Sequence, residues 1–218
     1  MVYAEYKVNL KQNKALLFFV SNESKRLCRH LLYEQKSSSF KNKKELNEYS
    51  FSGENSVKLQ IDDKTVIAIE GKIDRIDEWG DYIRIIDYKT GNTNLEYISM
   101  QDVFGISQSN DNDVSKLRNK GKSQILQTML YCFILSNQYP RLAPYVYSTR
   151  RIADPNVITC VHPKHTEAPL VFDDILRQEF QEELMVLISE ILNLDVPYSP
   201  TVDTHTCEYC AFAQLCGK

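Results

Sequence analysis

The sequence of 218 residues predicts one α/β domain, residues 1–218, in which helices flank a central mixed β-sheet. The length suffices for one domain with a sizeable core, and the hydrophobic content of 43% is ordinary for a globular chain. Segments with the periodicity of helices are interspersed with segments that alternate apolar and polar residues. The order is helix, strands, helix, strands, helix, which is typical of a mixed sheet covered by helices.

Three segments have apolar residues three and four positions apart, which indicates helices with one buried face. They are residues 11–36, 123–137 and 172–193. The second segment is strongly apolar, so we expect a buried helix there. The third opens with acidic residues, which suit the positive end of a helix dipole.

Strand patterns separated by short turns predict an antiparallel meander that is followed by two further strands. The strands are residues 57–61, 66–77 and 82–90 in the meander, and then 144–149 and 156–161. The turns of the meander have the sequences DDKT and EWGD. The polar stretch 92–122 is expected to be a mobile loop, and residues 203–218 form a cysteine-rich C-terminal tail.

The balance of charge neither favours nor excludes a nucleic acid as the partner. The chain has 26 basic and 29 acidic residues, a net charge of −3, whereas surfaces that bind nucleic acids are usually basic. An acidic site that holds cations would lower this sum. A local basic run at residues 115–122 is either a solvated loop or a contact to DNA phosphates. Its candidate contacts to the DNA backbone are Lys116, Arg118, Lys120 and Lys122.

The apolar runs are too short for a membrane span, which needs ~18–20 residues. The run ALLFFV at residues 15–20 also lacks the basic start and the cleavage site of a signal peptide. We therefore expect a cytoplasmic protein without a membrane partner.

The chemically informative residues are concentrated in GKIDRIDEWGDYIRIIDYKTG, which begins at Gly71. Because side chains alternate along a strand, Asp87 and Lys89 share one face, and the short turn brings Asp74 opposite them. Two carboxylates this close repel each other unless a divalent cation lies between them. A lysine beside such a cation suits the hydrolysis of a phosphodiester by metal-bound water.

The remaining charges of this stretch are expected to serve the structure. Asp77 is expected to pair with Arg75, and Asp81 is expected to lie in the turn. The alternative for the whole arrangement is a set of surface ion pairs, with Lys89 next to one of the aspartates.

The segments GKIDRID and IIDYKTG resemble the core motif of the PD-(D/E)XK nucleases, most closely that of the RecB-like branch. This branch includes the AddB-like nuclease module at the C-terminus of bacterial ATP-dependent helicase–nucleases. The resemblance implies a restriction-endonuclease-like fold and a metal-dependent DNA nuclease, an exonuclease that processes DNA ends in recombination and repair. It also implies that Asp74, Asp87 and the Tyr88 carbonyl bind Mg²⁺ or Mn²⁺, and that Lys89 is catalytic.

Two further motifs extend the resemblance. QTMLY matches a helix motif Q-x-x-x-Y, in which Gln127 and Tyr131 lie on one helix face. The resemblance implies that both residues belong to the catalytic site and that Gln127 reaches the lysine or a phosphate. ELNEYSF is similar to the E-x-x-F of the family, which implies Glu48 as a further metal ligand; a solvated glutamate is the alternative.

Three of the six cysteines crowd near the C-terminus with the spacing C-x₂-C-x₅-C. In a cytosolic chain, such a cluster indicates a metal site rather than disulfides. The resemblance implies that they are three of the four ligands of a [4Fe–4S] cluster. These residues are Cys207, Cys210 and Cys216. Zinc is the competing metal, with His205 as its fourth ligand.

The other cysteines are scattered along the chain. The resemblance places the fourth cluster ligand before the acidic motif, where Cys28 is the only cysteine, and a small, partly buried helix residue is the alternative. Cys132 and Cys160 lie in apolar segments and are expected in the core.

The resemblance also concerns partners. The related module ends a much longer chain, so we expect a C-terminal part of a larger protein with a helicase-like region or a helicase partner. The expected substrate is DNA, as double-stranded ends or a single strand, bound without regard to sequence because no groove-reading element is recognisable. The alternative is a catalytically silent DNA-binding or scaffolding module of a helicase–nuclease complex.

Overall fold

A five-stranded mixed sheet forms the centre of the fold. The computed structural model describes residues 14–37, 40–41, 47–105, 122–152, 154, 157–195, 207–208 and 210–217. The helices are α1 (Lys14–Gln35), α2 (Met100–Phe104), α3 (Ser123–Leu135) and α4 (Asp174–Leu192). The strands are β1 (Phe40–Lys41), β2 (Asn47–Phe51), β3 (Val57–Gln60), β4 (Val66–Ile69), β5 (Gly71–Trp79), β6 (Tyr82–Lys89), β7 (Glu96–Tyr97), β8 (Leu142–Ser148) and β9 (His162–Pro163).

The central sheet has the order β1–β5–β6–β8, and β2 pairs with the same strand as β1. Strand β5 is antiparallel to β1, β2 and β6, whereas β6 and β8 are parallel. The β5–β6 hairpin pairs Trp79 with Tyr82, so its turn consists of Gly80 and Asp81 and is two residues shorter than the predicted turn EWGD. On its other side β6 pairs with β8 as far as Lys89, which lies opposite Ser148. Strand β6 therefore has hydrogen-bonded neighbours at both edges.

The two faces of the sheet pack against different helices. Ile85 belongs to the main core together with Met129 of α3 and Phe180 of α4. Its neighbour Ile86 belongs to a second cluster, on which Leu27 of α1 packs. Because neighbouring residues of a strand point to opposite faces, β6 is buried on both sides. The predicted class, a mixed sheet flanked by helices, is confirmed.

The three predicted helices are confirmed within a few residues of their expected ends as α1, α3 and α4. Helix α4 begins after Asp173, whose carboxylate accepts a hydrogen bond from the Leu176 N–H at 3.0 Å, as an N-cap residue does. Within the residues that the structure describes, no helix is both long enough and apolar enough to cross a membrane.

The predicted meander is divided between two sheets. The prediction of one strand over residues 66–77 is wrong, because β4 pairs with β3 in a separate two-stranded sheet while β5 pairs with β2 and β6. The change of partner occurs at Gly71, which lies opposite the buried Phe51. A Cβ atom at Gly71 would lie only 2.7 Å from the Phe51 ring. The glycine therefore allows this close approach of β5 to the aromatic ring.

The prediction of a mobile loop over residues 92–122 is wrong for its first part. Residues 92–105 contain β7 and α2. The Ser99 hydroxyl accepts a hydrogen bond from the Asp102 N–H at 3.2 Å, and the Asp102 carboxylate accepts one from the Ile98 N–H at 3.1 Å. This S-x-x-D cap signals the start of α2 in the sequence, but the polar composition of the stretch 92–122 obscures it. Residues 106–121 lie outside the described part of the chain. The core residues of this stretch are Leu95, Met100, Val103 and Phe104.

The two strands expected after α3 have different outcomes. The strand predicted at 144–149 is confirmed as β8. Instead of a regular ladder, the described part of 156–161 makes an isolated antiparallel bridge between Cys160 and Tyr145. The bridge has two hydrogen bonds, from the Val146 N–H to the Thr159 carbonyl at 2.8 Å and from the Val161 N–H to the Pro144 carbonyl at 2.9 Å. Pro144 has no N–H to donate in return, so the pairing is incomplete at Val161.

Candidate active site

Two carboxylates meet where the ladder between β5 and β6 ends. Its last pair is Arg75 with Ile86, and Asp74 and Asp87 are the next residues on the two strands. Beyond this pair, a side chain replaces the backbone as hydrogen-bond acceptor, because Asp74 Oδ2 accepts a hydrogen bond from the Tyr88 N–H at 2.9 Å. The structure therefore brings Asp74 and Asp87 together, as strand parity and the short turn predict.

Lys89 connects this edge of the sheet to helix α3. It lies on the same face of β6 as Asp87, and its Nζ is 2.7 Å from Asp87 Oδ2. The same ammonium donates a hydrogen bond to Gln127 Oε1 at 2.8 Å. Asp87 is only 4% exposed, whereas the Lys89 side chain is 29% exposed. The ammonium is thus the more accessible member of the pair.

Helix α3 supplies the next two residues of the site. Gln127 Nε2 donates a hydrogen bond to the Tyr131 hydroxyl at 2.8 Å, one helical turn further on. The buried Tyr131 ring packs edge-on against Phe51, with 6.1 Å between the ring centroids. A continuous chain of hydrogen bonds therefore holds the Lys89 ammonium from the core side. The structure brings all five predicted catalytic residues together, and their catalytic roles stay predictions.

The electrostatics of Asp87 favour a cation beside it. Burial raises the pKa of Asp87 above its ordinary value, the Lys89 ammonium opposes this increase, and the charge of Asp74 adds to it. Asp87 Oδ2 is buried, and the Lys89 ammonium lies 2.7 Å from it. A divalent cation between the carboxylates would stabilise their ionised form. The donor set of two carboxylates and the predicted Tyr88 carbonyl fits Mg²⁺ or Mn²⁺.

Glu48 lies near the site, but its carboxylate contacts another group. In the register of β2 and β5, Glu48 is opposite Asp74. Its φ of 56° is unusual for a residue other than glycine, and its 75% exposed side chain lies 3.0 Å from Lys72 Nζ. Within the described residues, no three His, Cys, Asp or Glu side chains gather closely enough to hold a metal. Glu48 as a ligand stays a prediction, and it requires that the side chain leave Lys72.

None of the four cysteines expected to bind a metal is fully buried. Cys207 is half-buried, Cys210 and Cys216 are exposed, and Cys28 is exposed on α1. The candidate zinc ligand His205 lies outside the described residues. The [4Fe–4S] cluster and the zinc alternative therefore stay predictions.

The core cysteines behave as expected. Cys132 and Cys160 are buried, which confirms their predicted place in the core. Burial raises the pKa of Cys160 to about 11, so its thiol stays protonated at neutral pH.

The basic run is described at its last residue only. Lys116, Arg118 and Lys120 lie outside the described residues. Lys122 Nζ is 3.3 Å from the Asp102 carboxylate and donates to the Glu96 carbonyl, so it joins α3 to the α2 region. Its contact with a DNA backbone stays a prediction.

Reasoning from sequence missed a buried ionic network on the opposite face of the same strands. We call it the back-face network, formed by Glu34, Arg75, Asp77 and Arg84, all of them buried. The Arg84 guanidinium donates to both oxygens of Asp77, at 2.7 and 2.9 Å, and to Glu34 Oε1 at 2.7 Å. Arg75 contacts Asp77 and donates to Glu34 Oε2 at 3.3 Å. The predicted pair of Arg75 and Asp77 is confirmed.

The network ties α1 to the sheet. Glu34 comes from α1, and the hydroxyl of Tyr147 on β8 donates to its carboxylate. Burial would raise the pKa of Glu34, but His30, Arg84, Tyr147 and Arg75 together outweigh burial and lower it to about 2. The only sequence signal for the network is parity, since Arg75 and Asp77 point away from Asp74 on their strand.

The cluster of Asp74, Asp87 and Lys89 on β5 and β6 is the arrangement that defines a class of metal-dependent phosphodiester hydrolases. A family model, the PD-(D/E)XK nuclease superfamily, matches residues 4–217. The chain belongs to the PD-(D/E)XK nuclease superfamily. A comparison with curated proteins returned no significant match. The match confirms the predicted family at the level of the superfamily. Membership implies a hydrolase of nucleic acids that uses Mg²⁺ or Mn²⁺.

Proposed function

We propose that this domain is a RecB-like, divalent-metal-dependent deoxyribonuclease that acts as an exonuclease on DNA ends in recombination and repair. One observation carries the proposal: the Lys89 ammonium contacts both Asp87, at 2.7 Å, and Gln127, at 2.8 Å, beside Asp74. The motifs GKIDRID and IIDYKTG support the RecB-like branch. They also support a helicase partner, a place at the end of a larger cytoplasmic protein and a metal cluster in the cysteine tail.

Each residue of the site has a distinct role in this proposal. Asp74, Asp87 and the Tyr88 carbonyl would hold a divalent cation, which supplies a bound water of lowered pKa and offsets charge on the phosphate. Lys89 donates to a phosphate oxygen or to the attacking water and stabilises the negative charge that develops in the transition state. Gln127 accepts from the ammonium and orients it, and Tyr131 holds Gln127 in place.

Cleavage of end-labelled linear DNA in Mg²⁺ or Mn²⁺ tests this function directly. We expect release of short labelled products from linear DNA, no cleavage in excess chelator, and an intact covalently closed circle of the same sequence. An RNA strand of the same sequence is expected to be cut more slowly. Binding of DNA without cleavage in Mg²⁺ and in Mn²⁺ would favour the scaffolding alternative. Cutting of the closed circle at the same rate would contradict the exonuclease assignment.

A further inference from the structure

A surface cavity lies beside the loop that follows Lys89. Its volume is about 320 Å³, and its lining includes Asn94, Arg151 and His162. Two hydrogen bonds place it at the end of β6 and β8: the Ser148 hydroxyl donates to the Gly91 carbonyl at 2.7 Å, and the Thr149 N–H donates to the Lys89 carbonyl at 2.9 Å. The cavity, called here the Arg151 cavity, therefore opens at the same edge of the sheet as the candidate active site.

The lining of the Arg151 cavity suits an anion. Arg151 is exposed and has no ion pair with another described residue. Asn94 Oδ1 accepts from the Glu96 N–H at 3.2 Å, which leaves the Asn94 amide N–H groups as donors. His162 also lines the cavity, and its Nδ1 lies 3.2 Å from the Pro163 carbonyl. Glu96 also lines the cavity, so the charge that would hold an anion there is that of Arg151.

We propose that the Arg151 cavity binds a backbone phosphate of the DNA strand that is cut, a few nucleotides from the phosphodiester in the active site. The proposal rests on the nuclease function proposed above and specifies the path of its substrate. Thr93, at the near side of the cavity, is four residues beyond Lys89, a distance of at most about 14 Å. Successive phosphates of one strand rise about 3.4 Å, so the subsite lies within a few nucleotides of the scissile bond. Contact to a phosphate carries no information on base sequence.

The pair Arg151→Ala and Arg141→Ala tests this subsite, because the two arginines bracket β8. Arg141 lies at the far end of the strand and pairs with Asp81. Fluorescence anisotropy with labelled single-stranded and duplex oligonucleotides, in chelator and over a NaCl series, reports binding without cleavage. For Arg151→Ala we expect about fivefold weaker binding, and a slope of log K against log [salt] that is smaller by about 0.7–0.9. For Arg141→Ala we expect the wild-type slope.

The outcomes separate the two proposals. Equal slopes for Arg151→Ala and wild type, in a protein that cuts DNA, would overturn the subsite and leave the nuclease function intact. A wild-type protein that neither binds nor cuts DNA would contradict the nuclease function itself. A loss that is equal in both variants would also overturn the subsite, because it would reflect the general charge of the surface.

A second inference comes independently from the back-face network. Arg75 and Tyr88 directly follow the two candidate metal ligands on β5 and β6, and they point to the opposite face. Arg75 Nη1 donates a hydrogen bond to the Tyr88 hydroxyl at 3.3 Å. The Tyr88 N–H in turn donates to Asp74 Oδ2 at 2.9 Å. Arg75 therefore holds the Tyr88 hydroxyl on the face of the back-face network, and Asp74 holds the Tyr88 backbone N–H beside the candidate metal site.

We infer that Arg75 is a positioning residue for the metal site. With Glu34 of α1 as its counter-ion, Arg75 holds Tyr88 and its own strand, and it thereby sets the spacing between Asp74 and Asp87. Replacement of a residue that hydrogen-bonds to metal ligands commonly weakens metal affinity by 10–100-fold. Arg84 provides the comparison, because it binds the same Glu34 and Asp77, whereas its other hydrogen bond is to Tyr147 on β8.

The variants Arg75→Lys and Arg84→Lys distinguish positioning from stability. We expect both to lower the urea midpoint, because each loses hydrogen bonds to buried carboxylates. Titration with Mn²⁺, followed by calorimetry or electron paramagnetic resonance, is expected to give an about tenfold higher Kd for Arg75→Lys only. Tyr88→Phe keeps the fold and is expected to raise the Kd about threefold, since one hydrogen bond is lost.

A wild-type Mn²⁺ affinity in both Arg75→Lys and Tyr88→Phe would overturn the positioning role. If Arg75→Lys does not fold, Tyr88→Phe decides alone. A wild-type protein that binds no Mn²⁺, or binds it equally well after Asp74→Asn, would instead contradict the proposed nuclease site. The two proposals therefore fail in different measurements.

Discussion

Replacement of Lys89 by alanine is expected to lower the single-turnover rate of DNA cleavage by about 10²–10³-fold, which is the usual cost of removing one donor to transition-state charge. The Lys89 ammonium is 2.7 Å from Asp87 Oδ2 and is oriented by Gln127 Oε1, so its position is set before the substrate arrives. The loss corresponds to about 3–4 kcal/mol of activation free energy. The measurement is the cleavage of labelled linear DNA with enzyme in excess.

Two variants serve as controls for this effect. Lys64→Ala removes an exposed lysine from the turn between β3 and β4 and is expected to leave the rate unchanged. Lys89→Arg keeps the positive charge but changes its geometry, and we expect it to recover only a small part of the rate. Equal cleavage by the wild type and Lys89→Ala would remove the lysine from the mechanism.

The largest expected loss of stability is that of Asp77→Asn, at about 3–5 kcal/mol of the free energy of unfolding. Asp77 is 0% exposed, and its carboxylate contacts both Arg75 and Arg84. The neutral amide would leave two buried guanidinium groups with Glu34 as their remaining carboxylate. Burial of charge is costly unless it is paired, so the removal of one partner costs more than the intact network contributes. Urea denaturation at pH 7 measures the difference.

The surface pair of Asp81 and Arg141 is the matched control. Asp81 is 68% exposed, so Asp81→Asn is expected to cost about 1 kcal/mol or less. The choice of pH 7 follows from Glu34, whose pKa is lowered to about 2 from its ordinary value of 4.5. Its contribution to stability is present above pH 4.5 and is lost as the pH falls towards 2. A loss below about 1 kcal/mol for Asp77→Asn would show that the network relaxes without this carboxylate.

Local sequence patterns account for the positions of most residues in the candidate site. Alternation along β6 places Asp87 and Lys89 on one face, and the short turn sets Asp74 opposite Asp87, so these positions follow from spacing alone. The same holds for Gln127 and Tyr131, which a helical turn brings within 2.8 Å. In each case the relevant separation is two to four residues or one hairpin.

Errors arise where pairing depends on distant residues. The break between β4 and β5 reflects the contact of Gly71 with Phe51 on β2, which competes with the local pattern of one long strand. In the segment 92–105, the residues Leu95, Met100, Val103 and Phe104 are buried in the core, where α2 packs against α4. The S-x-x-D cap and the helical spacing of Met100, Val103 and Phe104 are local signals, but the polar composition of 92–122 as a whole outweighs them in the prediction.

Local patterns in the chain are sufficient to predict the family, the mixed α/β class and the two strands that carry Asp74, Asp87 and Lys89, because strand alternation and turn length act over a few residues. The contacts of Glu34 in the back-face network follow only from the packed fold. Arg84 meets Glu34 across 50 positions, and Tyr147 meets Glu34 across 113. The contact of Lys89 with Gln127 spans 38 positions, and it is the family resemblance rather than a local pattern that implies it. Such contacts depend on the packing of α1 and α3 on opposite faces of the sheet, which no local period encodes.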